Sequence, residues 1–233
     1  GVDGQGQIDP IDLEKNISAS TVLATFMAVN NETGVIFPTG ELASIAQERG
    51  IFFHTDAVQA AGKIPVKQLV DRVDALTISG HKVYGPKGVG AVYLSKKIGA
   101  NPFIEGGGQE LGRRAGTENV PGIVGFGKAC EIAGSEMIAD QIATLQLKQK
   151  FEEGLLASVD TISVNAGKTL RVANTSNICF SDVDGETILL HLDLAGIAAS
   201  TGAACSSGKS EPSHVLLAMG QSVEKASSSI RLS

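Results

Sequence analysis

The chain has no tryptophan, two tyrosines and eight phenylalanines, so aromatics supply only 4% of its 233 residues. With no aromatic platform, a net charge of -6 and no cluster of lysine or arginine, it lacks the surface that binds nucleic acid. It also lacks long apolar runs. The most strand-like segment, Val22 to Val29, is far too short to cross a bilayer as a helix. Three cysteines, none in a C-x-x-C pair, exclude a disulfide frame and a zinc site and point to reduced thiols. No charged-then-apolar leader is visible at the amino end. The expected location is therefore the cytoplasm, or an organelle matrix in a eukaryote.

Two phosphate-loop lookalikes fail on spacing. Gly85-Pro86-Lys87-Gly88-Val89-Gly90 has the wrong glycine order for a dinucleotide fingerprint and precedes a strand. Ser207-Gly208-Lys209-Ser210 ends like a Walker A loop, but Ala203 stands where that loop needs glycine.

What is present is alternation. Asp9-Pro10 caps a helix, Thr21 to Val29 reads as a strand, and Glu41 to Glu48 reads as a helix closed by Gly50. Strands at 51–53, 73–78 and 89–94 follow, the βαβ order of a mostly parallel, doubly wound sheet covered on both faces. From Pro121 the pattern turns helical. Ile138, Ile142, Leu145, Leu147, Phe151 and Leu155 form a stripe expected to pack as core. Strand-like pieces at 161–164, 178–180 and 197–200, with helices at 186–194 and from Glu211-Pro212, complete a smaller α+β region. The expected division is 1–136 and 137–233.

Three positions carry chemistry. Lys82, in Ser79-Gly80-His81-Lys82, falls near the carboxyl end of a strand, where open α/β sheets place ligands. A free lysine needs roughly 4–5 kcal/mol of perturbation to be half neutral at pH 7. An imine to a carbonyl cofactor such as pyridoxal phosphate (PLP) is one use of such an amine, and a β-turn surface lysine is the other reading. Asp56, in His54-Thr55-Asp56-Ala57-Val58-Gln59, also ends a strand and suits a pyridine nitrogen, or else caps a helix. Gln59 lies one helical turn on and can reach a phenolic oxygen. Cys205 sits among small residues, Ala199 to Ser210, which mark a solvent-reachable loop where it is either a nucleophile or an idle surface thiol. Cys130 and Cys179 lie in apolar settings that suit structural thiols.

Together these segments resemble the PLP-dependent cysteine desulfurases of the NifS/IscS type, within the class V aminotransferase group. The similarity also covers Asn30-Asn31-Glu32-Thr33-Gly34, Arg114-Ala115-Gly116-Thr117, Glu211 to Leu216 and Ser228 to Ser233. It implies a fold type I PLP transferase: an incomplete large domain with a mostly parallel sheet, and a smaller α+β carboxyl-terminal domain. It implies Lys82 as the imine-forming lysine, Asp56 on the pyridinium, and Asn31 and Gln59 beside the phenolic oxygen. Ser79 and His81 would contact the phosphate, with Thr117 reaching the phosphate of the partner in a homodimer. The resemblance makes Lys82, His81 and Cys205 the expected catalytic set, and Arg231 with Asn31 would hold the substrate carboxylate.

The implied reaction converts L-cysteine to L-alanine, with sulfur carried as a persulfide on Cys205. The small residues after Cys205 resemble the family's long-loop form, which serves an iron–sulfur scaffold or other sulfur acceptors. No resident metal is implied, although Cys205 could act as a transient cluster ligand. The alternatives are another class V PLP aminotransferase, which needs no mobile thiol, and a non-catalytic fragment that only binds dimer or scaffold partners. The family's amino-terminal phosphate-binding turn and stacking histidine have no counterpart here, so a fragment is expected.

Overall fold

A computed structural model describes residues 1–99, 101–201 and 211–233. Along the chain run α1 (Pro10–Asn16), β1 (Leu23–Met27), α2 (Thr39–Glu48), β2 (Phe52–Asp56), α3 (Lys67–Val70) and β3 (Ala75–Ser79). Next come β4 (Gly90–Leu94), the single turn α4 (Gln109–Gly112) and the 39-residue α5 (Val120–Ser158). The remainder is β5 (Ile162–Val164), β6 (Ser176–Phe180), α6 (Gly185–Leu194), β7 (Ser200–Thr201), α7 (His214–Ala218), α8 (Val223–Ser227) and β8 (Ser229–Leu232).

These elements form two units: residues 18–27 with 39–137, and residues 1–17 with 28–38 and 138–233. The first unit holds a sheet ordered β1-β2-β3-β4, with β1, β2 and β3 parallel and β4 antiparallel at the edge. Strand order follows chain order, so the reversal that defines a doubly wound sheet does not occur among these strands. Side chains alternate between faces along each strand. Ala24, Phe53, Thr55 and Leu76 are buried, Phe26 stacks on Phe53 with centroids 6.0 Å apart, and α2 lies against β1 and β2 through Leu42, Ala43 and Ala46. On the other face Leu23, Met27, Phe52 and Val92 are exposed. The expectation of a sheet covered on both faces therefore fails among the described residues, where cover comes from one side.

In the second unit β5-β6-β8-β7 form an antiparallel sheet. Its core gathers Val35, Phe37, Ala166, Leu216, Met219 and Ala226, with Val2 and Ile8 packed against them. That packing explains why residues 1–17 and 28–38 belong here, where a single cut near residue 136 puts them with the first unit. As read from sequence, α1 begins at Asp9-Pro10: the Asp9 side chain accepts from the Ile11 N–H. The helix expected from Glu211-Pro212 instead starts at His214. Its cap is Ser213, whose hydroxyl accepts from the Leu216 N–H.

The apolar stripe on α5 does not pack as core. Ile138 and Leu147 are 69% and 68% exposed, and Ile142, Leu145 and Phe151 are exposed too. The less exposed positions are Gln141, Thr144, Lys148, Glu152 and Leu155, at helical spacing. Polar bonds fix this face. The Lys148 ammonium donates to the Val172 carbonyl at 2.8 Å. Arg171 donates from both terminal nitrogens to Glu152, each at 2.9 Å, and Ser176 adds a hydroxyl at 2.7 Å. The Arg171 and Glu152 side chains are only 6% and 15% exposed. Burial alone would raise the Glu152 carboxyl, but the bonds from Arg171 and Ser176 and the nearby cations hold it below its ordinary value.

A carboxyl that titrates lower in the folded state than in the unfolded one stabilises the fold above the unfolded value of about 4.3. That contribution is lost as pH falls through the folded value. Glu152→Gln leaves a buried guanidinium unpaired and should cost about 3–5 kcal/mol at pH 7. Urea unfolding at pH 7 and at acid pH checks both parts. The variant should also flatten the acid dependence, and an unchanged midpoint at pH 7 would count against the pair.

Candidate active site

In the first unit β2 ends at Asp56 and the neighbouring parallel β3 ends at Ser79, with Asp56 in register with Thr77. Both carboxyl ends therefore reach the same edge of the sheet. Asp56 is exposed, and one carboxylate oxygen accepts from the Val58 N–H at 2.8 Å. Gln59 is not on a helix, as the Asp56-to-Gln59 spacing had suggested. It lies in consecutive turns after Asp56, and its side-chain oxygen accepts from Lys63 at 2.6 Å.

Beyond Ser79 the chain makes a 3-10 turn over Gly80–Val83. Gly80 N–H donates to the Val89 carbonyl and Gly85 N–H to the Gly80 carbonyl, both at 2.9 Å. The approach is tight. A Cβ on Gly90 would lie 2.6 Å from the Ile78 carbonyl oxygen, and one on Gly85 would lie 2.9 Å from that of Gly80. Val83 turns inward against Ala61 and Phe126, while His81 and Lys82 stay exposed. The Ser79 hydroxyl and His81 Nδ1 lie 2.7 Å apart. The structure thus collects Asp56, Ser79, His81 and Lys82 at one sheet edge. Thr117 is exposed between α4 and α5, and among the described residues no hydrogen bond ties it to them.

Sequence reasoning passed over His54. Two residues before Asp56 on a strand, it faces the same way, and that period was the available signal. Its Nδ1 lies 2.7 Å from the Thr25 hydroxyl and its Nε2 3.3 Å from that of Thr77. Burial lowers its pKa, against the pull of the Asp56 charge.

The second unit holds Asn31 and Arg231. The turn is built by Asn30, whose side-chain oxygen accepts from the Glu32 and Thr33 N–H groups, each at 2.9 Å. Gly34 closes it at φ 76°, where a Cβ would lie 2.9 Å from that of Thr175. Asn31 is exposed, and its carbonyl accepts from Arg231 Nη1 at 3.0 Å. Arg231 Nε is buried with no hydrogen-bond partner among the described residues.

Cys205 lies outside the described residues. Cys179 is buried on β6, with its thiol 3.5 Å from the Lys225 carbonyl, and burial raises the pKa of Cys130 on α5. Among the described residues no helix is long and apolar enough to cross a membrane. Nor does any group of three or more His, Cys, Asp or Glu there form a metal cluster.

Comparison with known proteins adds context. The sequence model of the family described as Aminotransferase class-V matches residues 1–233. The chain is 49% identical over 235 residues to a cysteine desulfurase of Trichormus azollae, covering 100% of this chain and 58% of that protein. It therefore spans about 58% of the length of the curated relatives it matches. Among solved structures, a NifS-like protein from Rickettsia africae ESF-5 matches at a TM-score of 0.89 with 34% identity. That match covers 100% of this chain and 62% of the other. A structure described as SspA in complex with cysteine matches at a TM-score of 0.82 with 35% identity, covering 100% and 64%.

The close approach beside Lys82 makes a direct prediction. Gly90→Ala must push β4 away from Ile78 and should cost about 1–3 kcal/mol, the usual range for overpacking. Gly134→Ala, in the interior of α5 with open space around it, should instead gain roughly 0.5–1 kcal/mol. Urea unfolding of the two variants should give shifts of opposite sign; shifts of the same sign would refute the account.

Proposed function

The chain belongs to the class V aminotransferases, and on that footing we propose that it forms part of a PLP-dependent cysteine desulfurase. The observation that carries this reading is the gathering of Asp56, Ser79, His81 and Lys82 at one sheet edge. The high identity to proteins described as cysteine desulfurases supports the choice within the family.

The donor set fits the cofactor. An exposed amine at Lys82 suits its aldehyde, a carboxylate at Asp56 suits its basic ring nitrogen, and Ser79 with His81 suits its phosphate. Gln59, with its oxygen taken by Lys63, has an amide nitrogen to donate to the phenolic oxygen. Asn31 serves the same side, and Thr117 reaches the phosphate bound by the other subunit of a homodimer. When bound, the cofactor supplies a protonated ring that stabilises negative charge at the substrate α-carbon.

The chain's own groups divide the rest of the work. Asp56 keeps the ring nitrogen protonated, and Lys82 and His81 handle protons on the reacting side. Arg231 grips the substrate carboxylate with its planar fork, and its unpartnered Nε is consistent with an acceptor that comes from a ligand. The Cys205 thiolate attacks the sulfur of the substrate. The carbon–sulfur bond breaks, a sulfur–sulfur bond forms, and the carbon takes a proton to give L-alanine and a persulfide on Cys205. The sulfurs are oxidised as the carbon is reduced, so no outside oxidant is needed. The persulfide then passes to an iron–sulfur scaffold or another acceptor, with Cys205 able to act as a transient cluster ligand. Such sulfur needs a reducing compartment, the cytoplasm or an organelle matrix.

In the full-length protein with cofactor, borohydride should fix the cofactor on Lys82, and Lys82→Arg should abolish turnover, because a guanidinium stays protonated. Incubation with L-cysteine should leave persulfide on Cys205, and Cys205→Ser should keep the cofactor band while losing alanine release. Peptide mapping decides the matter. A label on Lys87, or persulfide on Cys130 or Cys179, would overturn these assignments.

A further inference from the structure

We infer that Asn177 is a positioning residue that holds the substrate-carboxylate grip, Arg231 with Asn31, in one geometry; this rests on the reading of those two residues as substrate contacts. Asn177 on β6 and Arg231 on β8 stand directly opposite each other in the antiparallel pair, so their side chains share a face. From that face they reach two consecutive peptide carbonyls of one turn. Arg231 Nη1 donates to the carbonyl of Asn31 at 3.0 Å, and the Asn177 amide nitrogen donates to that of Glu32 at 3.1 Å.

Asn177 is itself fixed. It is fully buried, and its side-chain oxygen accepts from the Asn165 amide nitrogen at 2.7 Å. Asn165 also donates to the Ser229 hydroxyl at 3.0 Å, and its oxygen accepts from Gln221 at 2.5 Å. These bonds leave the amide of Asn177 one sensible orientation, nitrogen toward Glu32. On the other side of the turn, the buried Glu32 carboxylate accepts from the Ser213 hydroxyl at 2.5 Å. The turn is thereby held through its backbone and through the side chain of Glu32, while Asn31 remains exposed.

The function of this arrangement is to choose one pose for a long, flexible arginine. A strand arginine has many rotamers, and it gains from bidentate binding only when its fork is already aimed. The Asn31 carbonyl supplies the aim, and Asn177 keeps that carbonyl where Arg231 can use it. Removing the Asn177 amide leaves the Glu32 carbonyl and an Asn165 N–H buried without partners, so the turn should shift to find water.

The test uses the full-length protein with cofactor and the variant Asn177→Leu. KM for L-cysteine should rise about tenfold, the scale of one lost hydrogen bond, while the cofactor is retained and kcat at saturation changes much less than KM. Amide exchange in the 30–35 segment, read with and without cofactor, should quicken, above all at Gly34, which donates to the Asn30 carbonyl. A purely structural role would lower the unfolding midpoint and leave KM unchanged, which overturns the inference. Arg231→Ala, run in parallel, separates the two claims. If Arg231→Ala raises KM and Asn177→Leu does not, the inference fails alone; if neither does, the carboxylate reading fails with it. Should Asn177→Leu not fold, Asn177→Ser carries the same prediction at smaller magnitude, and an unchanged KM with unchanged exchange refutes it.

Discussion

Everything proposed for Lys82 depends on how closely two stretches of backbone approach each other. Gly90 pairs with Ser79 at the end of the β3–β4 pair, and a Cβ on it would lie 2.6 Å from the Ile78 carbonyl oxygen. That contact, with the bonds from Gly80 to Val89 and from Gly85 to Gly80, folds the chain back within a few residues of the strand end. The turn it makes is stiff, and Val83 roots it in a small apolar cluster. Lys82 is exposed, but its backbone has little freedom. An amine that must meet a carbonyl repeatedly in one orientation gains from such a base, since misplacement by about 1 Å can cost on the order of a hundredfold.

The second unit achieves definition by other means. Its decisive contacts are polar and buried: the paired Arg171 and Glu152, and the amide relay from Gln221 through Asn165 to Asn177. Buried polar networks strengthen when every member is satisfied and are costly when one is not. Here nearly every donor is matched. Among the described residues, Arg231 Nε and Gln221 Oε1 are members of this region that stay buried without a partner.

Much of this was legible in the sequence, and what was missed has physical reasons. Lys82 and Asp56 could be placed because a strand end followed by a glycine-rich turn has few realisations, and both residues fell where the pattern put them. Three-residue spacing from Asp56 puts Gln59 on a helix, whereas the structure has turns there. A histidine in a strand reads as filler, and His54 gains meaning only from its two threonine neighbours on other strands. The assignment of 1–17 and 28–38 depends on Val35 and Phe37 packing against Leu216 and Met219, contacts of long sequence separation that local periodicity does not encode. The α5 stripe misled for a related reason. Apolar residues lie around much of that helix, and the face that packs is chosen by Lys148 and Glu152.

The clamp on the Asn31 turn has a consequence in time. The partners of that turn come late: Asn177 lies 145 residues beyond Glu32, Ser213 lies 181 beyond it, and Arg231 lies 200 beyond Asn31. On a ribosome adding about 5–20 residues each second, the interval is on the order of ten seconds or more. Throughout it the Glu32 carboxylate and the two carbonyls must remain hydrated, since no group able to replace water has yet been made. This half of the machinery thus cannot mature in the order in which it is written. It waits for β8, and a nascent chain that stalls before that strand would carry a finished Lys82 turn and an Asn31 turn still without its Arg231 bond.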